Sequence, residues 1–128
     1  MPEWAWVLYP WMHLVGRILF AAFFVAMGLR HLAQGGGAPA QKALAIVSGL
    51  VILAGGLMVA TGWSRFIGAG LLAIYLMAVA LLTHAFWKEA EPGARANQMM
   101  HFLKNLALAG AALLIAYYSY QEWPKDIV

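Results

Sequence analysis

Few residues in this 128-residue chain could do chemistry, and most of them interrupt apolar sequence. His13, Arg17 and His31 share one stretch. At 100° per residue, His13 and His31 each fall about 40° from Arg17, and Phe24 and Gly28 lie on the same face. Gln98, His101, Lys104 and Asn105 occupy another stretch at spacings that also make one helical face. His84 closes a third stretch shortly before Trp87, and Ser48 and Tyr75 add hydroxyls elsewhere. A neutral imidazole donates one hydrogen bond, accepts another and exchanges its proton near neutral pH. Arginine offers a planar fork of donors, and lysine a compact positive charge. Together these groups suit proton transfer and the binding of an anionic or carbonyl-bearing group. The chain has no cysteine, which excludes disulfides, thiolate catalysis and Cys-ligated zinc or iron–sulfur centres. A histidine-only metal site is disfavoured, because no carboxylate accompanies the histidines within the apolar stretches. Two histidines could ligate a haem geometrically, though no motif demands it.

These residues need elements that hold them, and composition says which. The chain is 64% hydrophobic and 10% charged, against about 45–50% and about 25% in ordinary soluble domains. A small soluble fold cannot hide that much apolar surface. A soluble enzyme, a disordered tail and a nucleic-acid binder are excluded; the basic residues are scattered rather than clustered. Four apolar runs, at 11–32, 43–61, 66–86 and 98–120, are each long enough to cross ~30 Å of hydrocarbon. The connections between them are short and rich in Gly and Pro. The expected fold is an all-α, up-down-up-down membrane bundle of four helices, one domain over 1–128. Residues 1–10 lack the basic start of a signal peptide and read as an aromatic interfacial segment. Helix two carries small residues at Ala45, Gly49, Gly56 and Ala60. They suit close packing within the bundle or, alternatively, a homo-oligomer face.

Let side X hold both termini and the 62–65 turn, and side Y the other two loops. Arg30, Lys42, Lys88, Arg95 and Lys104 fall toward Y, against Arg65 and Lys125 toward X. The positive-inside rule then puts Y in the cytoplasm and both termini outside. Aromatics gather on X instead: Trp4, Trp6, Tyr9, Trp11, Trp63, Tyr117, Tyr118, Tyr120 and Trp123. They read as interfacial anchors or as a docking surface for an extracytoplasmic partner.

Arg17 lies about 9 Å into its span from X, with no carboxylate inside any span. The expectation is a structural Arg17–Tyr75 hydrogen bond. Helix-end carbonyls, a lipid phosphate or a bound ligand are the alternatives. His31, His84, His101, Lys104 and Asn105 are expected to converge near Y, with Ser48 at similar depth. Lys104 could instead snorkel to the surface.

The chain resembles the DoxX family of small four-span membrane proteins. The likeness lies in Arg17 followed by Phe24 and Gly28, and in Thr83-His84-Ala85-Phe86-Trp87. It is strongest in His101-Phe102-Leu103-Lys104-Asn105-Leu106-Ala107-Leu108. It covers nearly the whole chain except the loops; His31 beside Arg30 stands where many members carry a lysine. The resemblance implies redox chemistry at the membrane. One relative is a subunit of a thiosulfate:quinone oxidoreductase, others are linked to thiol and oxidative-stress handling, and a distant grouping contains cargo receptors. It points to a redox-associated accessory subunit of a bacterial or archaeal cytoplasmic membrane, with quinone as the ligand near His84 and His101. Candidate ligand contacts are Arg17, His31, His84, Trp87, His101, Lys104 and Asn105, with no catalytic residue or metal assigned. The implied partners are the bilayer and further protein subunits, not nucleic acid. The alternatives are a structural or assembly subunit of a larger complex and a small lipid- or anion-binding carrier.

Overall fold

The computed structural model describes residues 2–34 and 37–121; Met1, Gly35, Gly36 and residues 122–128, hence Trp123 and Lys125, lie outside the described residues. The described chain is all-α. Its four long helices are α1 (Glu3–Ala33), α2 (Pro39–Thr61), α3 (Arg65–Leu82) and α4 (Pro92–Gln121), with a single 3₁₀ turn at Phe86–Lys88. Each long helix is apolar enough to cross a membrane, α3 when counted on through Lys88. A helix suits lipid because it satisfies its backbone polar groups internally. The chain divides into two compact units, Met1–Ser64 and Arg65–Val128.

In the first unit α1 packs on α2. Glu3 lies in the first turn of α1 and Arg30 and His31 in its last, each opposing the local end of the helix dipole. Pro39 opens α2, where its missing N–H costs nothing. Gly62 closes α2 at φ 85°, a left-handed conformation that glycine adopts without a Cβ clash. Glycines set the antiparallel register between the helices. A Cβ on Gly28 would lie 2.8 Å from the Leu53 backbone nitrogen, one on Gly56 3.1 Å from Phe24 and Val25, and one on Gly49 3.1 Å from His31. Gly49 and Gly56 of the small-residue pattern in helix two therefore lie in the α1–α2 contact.

That register has a consequence for α1. Gly62, just past the end of α2, lies beside Arg17, so the part of α1 before Arg17 runs on beyond α2 for about four turns, ~21 Å. The segment expected as interfacial and ahead of the first span is thus helical and continuous with it. Trp4, Trp6, Tyr9 and Trp11 on this arm are all exposed. Pro10 sits inside the helix and leaves the Trp6 carbonyl without its usual helical donor.

In the second unit α3 packs on α4. The buried positions of α4 are Asn105, Ala109, Ala112, Ala116 and Ser119, alternating by four and three. Those of α3 include Gly68, Ala69, Leu72, Ala73, Leu76 and Ala80. Small residues on both sides let the backbones approach, the usual means of helix association in lipid. Large apolar residues on the other faces, such as Ile74 and Leu82, are exposed, as lipid contact requires.

Two boundaries differ from the apolar runs. α3 stops at Leu82 rather than continuing to 86. The N–H groups of Thr83 and His84 both donate to the Val79 carbonyl, at 2.9 and 3.2 Å. This widens the last turn, and the 3₁₀ turn follows. α4 starts at Pro92 rather than near 98. Proline is suited to a first helical position, and Pro92 opens α4 there. Glu91 caps this end: its carboxylate accepts from the N–H of Gly93 at 2.9 Å and from that of Ala94. Those two bonds favour the ionised form and hold its pKa below the ordinary value.

Candidate functional site

The early end of α3 determines where His84 stands. It lies past the end of α3, on the connection that folds back over the start of α4. There its Nδ1 meets Gln98 Oε1 at 2.7 Å, and its ring stacks on that of His101, centroids 5.1 Å apart at 19°. His101 Nδ1 in turn lies 3.3 Å from Lys104 Nζ. Gln98, His101 and Lys104 are one helical turn apart in sequence, so α4 supplies three members of a continuous polar chain and the connection supplies the fourth.

Hydrogen-bond directions set the tautomers. The Gln98 carbonyl oxygen accepts only, so a neutral His84 ring making this bond donates from Nδ1 and leaves Nε2 as an acceptor. The Lys104 ammonium donates only, so His101 Nδ1 accepts and Nε2 bears the proton. The two stacked imidazoles therefore present opposite functions, an N–H donor on His101 and a lone pair on His84. Both rings are half-buried and Lys104 is exposed.

The other expected residues fall as follows. Asn105 is buried on α4, one turn beyond His101. Trp87 belongs to an aromatic cluster, edge-on to Phe86 at 5.2 Å and to Phe102 at 5.7 Å. Phe86 meets Phe102 at 5.4 Å. This cluster pins the 3₁₀ turn to α4 beside His101. In the first unit His31 Nδ1 bonds Ser48 Oγ at 3.0 Å, and Ser48 Oγ also reaches the Ala45 carbonyl at 3.2 Å. Arg17 is half-buried in the first unit, and Tyr75 is half-buried on α3 in the second. The Arg17 guanidinium lies against Gly62, with Nη1 3.2 Å from the point that a Cβ there would occupy. Its Nε is buried without a hydrogen-bond partner.

Two partners were not among the candidate ligand contacts. Gln98 was legible as a polar residue three before His101, but its pairing with His84 depends on where α3 ends. Gly62 beside Arg17 had no signal beyond its place after helix two. Among the described residues, no group of three or more His, Cys, Asp or Glu could hold a metal ion. Family models, curated proteins and solved structures contain no match to this chain. The class that fold and composition define is an all-α integral membrane protein with four candidate spans.

Proposed function

We propose that this is a DoxX-like, redox-associated accessory membrane protein that binds a quinone at the His84/His101 end of the α3–α4 pair. The observation that carries the reading is the stacked imidazole pair whose Nδ1 atoms have different partners, Gln98 Oε1 for His84 and Lys104 Nζ for His101. A quinone carbonyl accepts a hydrogen bond from His101 Nε2–H. The hydroxyl of the reduced ring donates to His84 Nε2. One pair thus hydrogen-bonds both redox states of the ligand, while the two protons that reduction consumes come from water at this end of the pair. Lys104 places a positive charge beside the ring that binds the carbonyl, favouring electron density on that oxygen. Gln98 and Lys104 act through the histidines, fixing their tautomers. Electrons come from a partner subunit in this reading. The charge bias of the loops puts this end toward the cytoplasm.

The test is purification from the native host in mild detergent, quinone extraction, and titration with a short-chain benzoquinone followed by tryptophan fluorescence. Wild type should carry or bind quinone. His101→Ala should weaken binding about tenfold, equivalent to ~1.4 kcal/mol. Absence of extractable quinone together with no binding on titration overturns the proposal.

One observation favours a second reading. The arm of α1 beyond α2, with Trp4, Trp6, Tyr9 and Trp11 exposed, suits an assembly subunit that docks a partner. A stoichiometric complex whose activity survives both His84→Ala and His101→Ala would select that reading.

A further inference from the structure

Arg17 presents a binding problem that the quinone reading does not use. Its Nε is buried and unpartnered, and buried polar groups, charged ones above all, require a partner. Within residues 2–64 the sole carboxylate is Glu3, about four helical turns away along α1, ~21 Å. The first unit therefore supplies no counter-ion near this guanidinium.

Depth indicates what could. α2 has 23 residues, about 34 Å at 1.5 Å per residue, close to the ~30 Å of hydrocarbon that a span must cross. The end of α2 is then at the headgroup boundary. Gly62 is the first residue past that end, and the Arg17 guanidinium is seated on it. Trp63 follows and is exposed, as tryptophan is at membrane interfaces. The charge that seemed ~9 Å inside a span thus lies level with the membrane surface.

We propose that Arg17, seated on Gly62, binds a phosphate group at this surface. Guanidinium forks match phosphate oxygens in a bidentate way that an ammonium cannot. Gly62 is part of the site, because a side chain there would press on Nη1. The phosphate is either the diester of a lipid headgroup or a free phosphate ion; the chemistry is shared and the assay separates the sources.

The purified full-length protein is delipidated in neutral detergent and titrated with dioctanoyl phosphatidylglycerol, with inorganic phosphate and with phosphate-free dioctanoylglycerol. Binding is read by native mass spectrometry and tryptophan fluorescence. Wild type should bind one or both phosphate-bearing probes at least tenfold more tightly than dioctanoylglycerol. The lipid binding alone identifies a headgroup site, and inorganic phosphate binding as well identifies a free-anion site. Arg17→Gln should lose that preference and Arg17→Lys should keep only part of it. Arg30→Gln, which removes the same charge elsewhere on α1, should keep it in full. If wild type shows no preference for the phosphate probes, or Arg17→Gln retains it, the proposal fails. If Arg17→Gln does not fold, Arg17→Lys against Arg30→Gln decides, and equal binding by those two overturns it.

Discussion

Replacing Gly28 by alanine should loosen the α1–α2 pair, and the size of the effect follows from the geometry. The added Cβ would stand 2.8 Å from the Leu53 nitrogen and Cβ and 2.9 Å from its Cα. Two of those atoms are backbone, so no rotamer change relieves the clash. The helices must part by roughly half an ångström to restore ordinary contact, and a gap of that size forfeits about a quarter of each dispersion contact that it opens. The contacts at risk are the other close approaches on the same seam, Gly49 with Leu32 and His31, and Gly56 with Phe24 and Val25. Overpacking costs ~1–3 kcal/mol. Alanine recovers ~0.5–1 kcal/mol over glycine by helix propensity. The net expectation is a loss of ~1–2 kcal/mol. Gly16 on the same helix has nothing within 4 Å of its added Cβ, so Gly16→Ala should stabilise by ~0.5–1 kcal/mol. The assay is reversible unfolding by SDS in mixed micelles, followed by far-ultraviolet circular dichroism. If Gly28→Ala proves as stable as Gly16→Ala, the close approach does not hold the pair, and the register drawn from it, including the arm beyond α2, is wrong.

Three further outcomes are expected. Ser48→Ala removes the partner of His31 Nδ1 and should cost ~1 kcal/mol; nitrogen-15 spectra of the His31 ring should report the change, and an unaltered ring would count against that bond. Glu91 has its pKa lowered by the N–H groups of Gly93 and Ala94, so its contribution is complete above the ordinary carboxylate pKa and is lost as pH falls through the lower folded value. Protection of the Gly93 and Ala94 amides, measured against intrinsic exchange at each pH, should fall over that acidic window in wild type, whereas in Glu91→Gln it should be low already at neutral pH. In a chain without native cysteine, Trp63→Cys should react with an impermeant thiol reagent in intact cells and Glu89→Cys should not; the reverse pattern would invert the proposed orientation.

Much of the architecture was legible in the residues. Apolar runs of membrane-spanning length allow little but helices, because lipid offers no partner to an open backbone. The spaced glycines and alanines of helix two announced close packing, whereas the close approach of Gly28 to Leu53 came only with the register of the two helices. Helix ends were less legible. Pro92 is a breaker within a helix and a good first residue of one, and only the chain's path says which. The apolar composition of 82–86 continues past the point where α3 ends, since hydropathy records solvent preference and not hydrogen-bond geometry.

The sequence by itself determined the four apolar helices, the polar residues that interrupt them, and the spacing that gathers Gln98, His101, Lys104 and Asn105 on one face. These are local properties, set by composition and by the helical period. Tertiary structure decided which of those groups meet. His84 stacks on His101 because α3 ends at Leu82 and the Phe86–Trp87–Phe102 cluster ties the connection to α4. Arg17 rests on Gly62 because the glycine seam sets the register of α1 on α2. Both contacts join residues distant in sequence, and their geometry depends on where a helix stops and how closely two backbones approach, which no local spacing encodes.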